Sequence, residues 1–298
     1  FPKMNERSGS NLKAKLILLA GVFSCSMSSA FFRYMTAPST IAATYRLGWT
    51  VLLLTPLIFS KRETRKELLS LKGKDLAFCG LSGLFLAMHF VVWFESLSNT
   101  SIASSTVLVN TEVAFAAFGY LLFFGKKIRK KEILAIGIAF LGSVVIAIAD
   151  TGGGAGKNAV LGDILALLAA FFSACYTLIG TRERSHMSTM VYTYVLYWGC
   201  FLSLLVFDAV SGVPMTGYEP INWIMSLCLA VFCTLLGHSV FSWSLKFLTP
   251  TYVSTVKLAG PVFASVSAIL LFGEIPGLIQ VAGAAVVLAG VYLYAKNS

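Results

Sequence analysis

Charge is scarce in this sequence: Asp, Glu, Lys and Arg make up 12% of 298 residues, half of the ~25% usual in a soluble domain. Too few polar side chains remain to clothe a water-soluble fold, and the mean hydropathy is +0.81. Disordered, collagen-like and coiled-coil chains are excluded by the same composition. No His-Glu-x-x-His occurs, and Asp163 and Asp208 stand at the ends of apolar runs. The buried catalytic set that an intramembrane hydrolase needs is therefore missing, and no enzyme is expected. There is no Cys-x-x-Cys either. All six cysteines, at 25, 79, 175, 200, 228 and 233, fall within apolar runs, where they read as small packing residues and not as a secreted disulfide framework. Met4 reads as the native start, with no cleavable leader ahead of the first apolar run.

What the chain does have is long apolar runs. A bilayer-crossing helix needs about 20 such residues, and ten runs qualify: roughly 14–32, 39–60, 75–98, 101–124, 132–149, 160–180, 188–208, 221–245, 251–272 and 277–295. They are continuous and not alternating, which favours helices over a barrel. The expected fold is an all-α membrane protein. The cations set its orientation. Of the 23 Lys and Arg, nineteen lie in the N-terminus, the C-terminus and the loops at 61–74, 126–131, 182–184 and 246. Ten spans place all of these on one side, leaving only Arg33 and Lys157 on the other and Arg46 and Lys257 inside. Both termini are then cytoplasmic, in the cell membrane of a bacterium. The net charge of +10 follows from orientation, and a nucleic-acid partner is not needed.

The two halves repeat. Thr44-Tyr45-Arg46-Leu47-Gly48-Trp49 returns 149 positions later as Thr193-Tyr194-Val195-Leu196-Tyr197-Trp198. At the same offset Cys79 meets Cys228 and His89 meets His238. One residue shorter, Leu122-Phe123-Phe124-Gly125 meets Leu270-Leu271-Phe272-Gly273. Five spans is an odd number, so the second copy enters the membrane inverted. That architecture places a solute site near the midplane, between the halves. The expected organisation is a cytoplasmic segment 1–13, a first repeat 14–149, an external Gly-rich linker 150–159 and a second repeat 160–298. The linker departs from a phosphate-binding loop at Thr151 and Asn158, and no cofactor is expected.

Trp243-Ser244-Leu245-Lys246-Phe247-Leu248-Thr249-Pro250, then Leu258-Ala259-Gly260-Pro261-Val262-Phe263-Ala264 and Phe272-Gly273-Glu274, resemble the signature of EamA-type permeases of the drug/metabolite transporter superfamily. The first half is similar at Phe94-Glu95-Ser96-Leu97 and from Thr106 to Ala117. It departs at Gly125-Lys126, where Gly-Glu is usual, and at Thr111-Glu112-Val113, where a Pro-containing turn is usual. The resemblance implies ten helices in two inverted halves, alternating access, and transport of small metabolites.

Ionisable groups within spans are functional candidates by default. Glu112 falls near the middle of the fourth span. A carboxyl group in a dry cavity favours its neutral form and can exchange protons, so Glu112 is the candidate for proton coupling or a substrate contact, with a structural pair to Arg46 as the other reading. Lys257 either meets a substrate carboxylate or snorkels to the inner surface. His89 and His238 are equivalent by the repeat and line the pathway or pack. The resemblance favours the cavity for His89, because aromatic amino-acid exporters of the superfamily carry a third-span His there. Asn110 adds a polar position beside Glu112. Tyr45 with Trp49, and Tyr194 with Trp198, are i, i+4 faces that clamp a flat solute or form an interfacial belt. Trp93, Trp243 and Tyr176 complete the candidates, with Ser24, Ser26, Ser28 and Ser173 as neutral hydrogen-bonding groups. The expected function is secondary active transport of small organic metabolites, foremost amino acids or similar amphiphiles. An organic-cation, drug or nucleobase carrier of the same fold, or a channel-like facilitator, is the alternative. The expected partners are the bilayer, a small-molecule substrate and protons, with monomer and homodimer both open.

Overall fold

The protein is described by a computed structural model over residues 4–125, 129–151, 157–237, 240, 244, 256 and 259–297. Every regular element among the described residues is helical. In chain order they are α1 (Met4–Ser26), α2 (Ser28–Arg33), α3 (Ser39–Ser60), α4 (Arg62–Leu69), α5 (Gly73–Asn99), α6 (Ile102–Val109), α7 (Glu112–Phe124), α8 (Lys130–Thr151), α9 (Ala159–Glu183), α10 (Thr189–Ser211), α11 (Pro220–Cys228) with a π-helical continuation Leu229–Gly237, α12 (Gly260–Phe272) and α13 (Leu278–Asn297). Polar residues mark the starts. Ser101, Asn158 and Ser188 accept the N–H of Ser104, Leu161 and Val191, which caps α6, α9 and α10. Gly212 and Gly273, both at φ 67°, end α10 and α12.

Among the described residues, seven stretches are long and apolar enough to cross a membrane: Lys13–Arg33, Ser39–Ser60, Gly73–Asn99, Ile102–Phe123, Ala159–Glu183, Thr189–Ser211 and Pro220–Gly237. Gly260–Phe272 and Leu278–Tyr294 are apolar but shorter. The 22-residue α8 gathers Lys130, Lys131 and Glu132 in its first turn. Apolar side chains such as Leu122, Phe123, Phe140, Val206 and Leu270 are exposed on the rim of the bundle, where a bilayer would cover them.

Two of the expected continuous runs are broken. The first turns at Met27, between α1 and α2. The fourth turns at Asn110-Thr111, without Pro or Gly. There the side chains bond back to their own helix, Asn110 Nδ2 to Thr106 O at 2.6 Å and Thr111 Oγ1 to Leu108 O at 2.7 Å, so they compete with the backbone ladder. The chain restarts as α7. Its counterpart α12 has the same length, 13 residues, and both its first and its last residue lie 148 positions further on.

Packing partners come in matched pairs. α5 lies on α9, and α1 on the π-helical segment. α5 also lies on α10, and α3 on α11. α9 packs on α6 and α7, and α1 on α12. Three further contacts join counterparts: α3 with α10, α6 with α12, α8 with α13. The main core sits between α3, α5 and α10, around Leu47, Leu86, Phe90, Phe94 and Leu196. The α5–α10 crossing is close at Gly83, where a Cβ would stand 2.5 Å from Cys200 N and 2.7 Å from Leu196 O. Small residues at helix crossings let backbones approach in this way.

Side chains knot the ends. Arg33 Nη1 lies 2.6 Å from Glu274 Oε1, and Nη2 donates to Thr100 O at 2.8 Å. The Ile102 N–H donates to Glu274 Oε2 at 3.0 Å. Asn222 is fully buried; its Oδ1 accepts the N–H of Thr36 and Ala37, each at 2.9 Å, and its Nδ2 donates to Thr36 Oγ1 and Glu219 O.

Candidate functional site

The starts of α7 and α12, which match at an offset of 148, face one cavity of about 220 Å³. The α1–α2 run supplies Val22, Cys25, Ser26 and Ser29 to its wall, an i, i+3, i+4, i+7 face of a helix. α5 supplies His89 and Trp93, α6 Thr106, Val109 and Asn110, and α9 Ser173 and Tyr176. Glu112 and Gly260, the opening residues of α7 and α12, lie on the wall together with Pro261 and Ala264.

Because the chain breaks just before it, Glu112 sits at a helix N-terminus. Unpaired N–H groups and the helix dipole there favour a negative charge. Its Oε2 accepts a hydrogen bond from Ser173 Oγ across the cavity wall. His89 Nδ1 lies 2.9 Å from the Ala169 carbonyl. A carbonyl can only accept, so Nδ1 carries the proton, and in the neutral ring Nε2 is left as an acceptor. The ring runs nearly parallel to Trp93, at 6.1 Å and 15°, and lies 6.3 Å from Tyr176. The indole Nε1 of Trp93 is buried with no partner. One carboxylate, one imidazole, two aromatic faces and several hydroxyls thus surround a small space. Such a set can hold a solute with both charged and apolar parts.

Five of the expected site residues therefore share one cavity, His89, Trp93, Asn110, Glu112 and Tyr176, together with the expected hydroxyls of Ser26 and Ser173. Arg46 does not pair with Glu112. Its Nε donates to Thr234 Oγ1 at 3.0 Å and its Nη1 to Ser28 Oγ at 3.3 Å, and its guanidinium lies 4.3 Å over the Phe90 ring. This buried cation is held by hydroxyls and a π face, with no carboxylate pairing it among the described residues. Tyr45 and Trp49 do share a face, but they turn to α11: Tyr45 stacks on Trp223 at 4.0 Å and donates to Met215 O at 2.5 Å, and Trp49 meets Trp223 edge-on at 6.3 Å. Tyr194 packs edge-on against Trp198 at 6.4 Å, and its hydroxyl lies 3.1 Å from Thr55 Oγ1. These four aromatics lie away from the cavity wall. His238, Trp243 and Lys257 fall outside the described residues. Cys25, Ser29 and Thr106 were not expected on the wall. The signal for them was helical spacing from Ser26 and Asn110, which mark the same faces.

The EamA-like transporter family model matches the chain twice, over residues 12–148 and 160–295. An uncharacterized transporter of Archaeoglobus fulgidus is 26% identical over 250 residues, covering 81% of this chain and 84% of its own length. A probable amino-acid metabolite efflux pump of Escherichia coli is 23% identical over 230 residues, covering 74% of each. One solved crystal structure superposes with a TM-score of 0.64 over 95% of this chain and 97% of its own, at 14% identity, which is a likeness of fold.

Proposed function

The chain belongs to the EamA-like transporter family, and from that membership we propose that it is a secondary active exporter of small amphiphilic metabolites, foremost amino acids. Ten spans form two inverted halves in a bacterial cell membrane, both termini cytoplasmic. The halves rock about the α3–α10 and α5–α10 contacts, so that the cavity opens to one side at a time. The observation that supports this reading is the convergence of two matched helix starts, at Glu112 and at Gly260-Pro261, on one polar cavity. Broken helices are tolerated at membrane depth where they line such a cavity.

In this cycle Glu112 exchanges a proton and is the counterion for a substrate ammonium group. Trp93 and Tyr176 offer their faces to the apolar part, and the Trp93 Nε1–H and the His89 ring offer hydrogen bonds. The amino-acid name of one relative agrees with that set. The test is exchange of labelled amino acids in proteoliposomes with Glu112→Gln, which keeps size and the bond from Ser173. Exchange is expected to vanish while thermal stability stays near wild type. Wild-type exchange by the variant would overturn the role of Glu112. A wild-type protein that moves solute without exchange would overturn the carrier reading.

A further inference from the structure

Away from the cavity, the start of α5, the end of α9 and the link to α10 bring together Asp75, Glu183 and His186. His186 Nε2 stands 3.3 Å from Asp75 Oδ1 and 3.4 Å from Glu183 Oε2, and one ligand atom from each residue lies within 4.8 Å of the others. We propose that these three side chains form a binding site for a divalent transition-metal ion of the zinc class.

Two observations separate this from an ordinary charged cluster. First, His186 Nε2 is within hydrogen-bonding reach of Asp75 Oδ1, but both separations exceed the 2.7–2.9 Å or so of a charge-assisted hydrogen bond and equal the edge of a coordination tetrahedron. With metal–ligand bonds of about 2.0–2.1 Å, neighbouring ligand atoms stand about 3.3 Å apart. Second, Glu183 is 2% exposed, and its Oε2, the atom that faces His186, is buried with no hydrogen-bond partner. A buried carboxylate oxygen left open towards two other donors is costly without a cation. The other atoms are already engaged. Asp75 Oδ2 accepts the Lys72 N–H at 3.1 Å, which fixes the carboxylate with Oδ1 inward. Arg182 is 4.0 Å from Glu183 Oε1, and its guanidinium lies over the Phe78 ring at 4.5 Å, so it does not cover Oε2. His186 is about half exposed, leaving a side open for water as the fourth ligand. One imidazole with two carboxylates suits Zn²⁺, Co²⁺ or Mn²⁺ better than the all-oxygen shells of Ca²⁺ and Mg²⁺.

The ion would bolt the first turn of α5 to the α9–α10 link. α5 also carries His89 and Trp93, 14 and 18 positions further on, about 21 and 27 Å along the helix. This inference does not depend on the transport reading. The test is Zn²⁺ titration of the full chain in detergent, by calorimetry and by melting temperature, with Co²⁺ absorption as a second probe. Expected are one ion per chain, a melting temperature that rises with Zn²⁺, and an affinity at least tenfold weaker in both His186→Gln and Asp75→Asn. His186 is exposed enough that its variant folds, and the amide of the Asp75→Asn variant keeps the side-chain oxygen that caps α5. No Zn²⁺ binding by wild type, or equal binding by wild type and His186→Gln, would overturn the site, the latter outcome assigning the metal to the thiols.

Discussion

Replacing Gly83 by alanine tests the packing that positions α5. A methyl group built there would lie 2.5 Å from Cys200 N, 2.7 Å from the Gly199 carbonyl carbon and 2.7 Å from Leu196 O, all backbone atoms of α10. No rotamer change relieves a clash with backbone. The helices must part by about 1 Å to restore a contact of about 3.5 Å. Overpacking of this kind costs about 1–3 kcal/mol, offset in part by the ~0.5–1 kcal/mol by which alanine exceeds glycine within a helix. A chain this long loses about 2–4 °C per kcal/mol, so Gly83→Ala is expected to melt a few degrees below wild type. Gly80, one turn earlier in the same helix, is the control, since a Cβ there meets nothing within 4 Å. Gly80→Ala is expected to melt at or above wild type. The assay is thermal unfolding in one detergent, followed by exposure of the buried thiols Cys79 and Cys200. Equal melting temperatures for the two variants would refute the claim that the α5–α10 crossing is limited by backbone contact.

Asn222→Leu strips the acceptor from two backbone N–H groups, the buried one of Ala37 and the part-buried one of Thr36. A loss of about 1–3 kcal/mol is expected, chiefly from the buried Ala37 donor, while Asn222→Asp, which keeps the acceptor, is expected to lose less in the same thermal assay. Single cysteines placed at Lys66 and Lys130, both exposed, are expected to react with an impermeant thiol reagent only from the cytoplasmic face. Labelling from opposite faces would overturn the ten-span orientation.

Helix class was legible because burial in lipid demands continuous apolarity, and seven of the expected runs are long and apolar enough to cross a membrane among the described residues. The cavity was legible where a charged or imidazole side chain stood inside a run, as at His89 and Glu112. The helix break before Glu112 was not, because it depends on Asn110 and Thr111 turning back on their own carbonyls, and neither residue is a breaker by type. The shared face of Tyr45 and Trp49 was legible from their spacing. Its neighbour was not, because periodicity gives a direction around one helix and says nothing about which helix lies there. The fate of Arg46 turned on Thr234, which the π-helical turn after Leu229 brings to it.

The Arg33–Glu274 knot has a mechanical consequence. One guanidinium and one carboxylate fasten α2, the Thr100 carbonyl and the start of α6 to Glu274, two residues beyond α12. Drawing Glu274 away breaks two bonds at once, to Arg33 and to the Ile102 N–H, while Arg33 keeps the Thr100 carbonyl. Separation at that end is therefore a snap and not a stretch. The ion pair is only partly shielded from solvent, at 25% and 14% exposure, so dissolved salt weakens the catch.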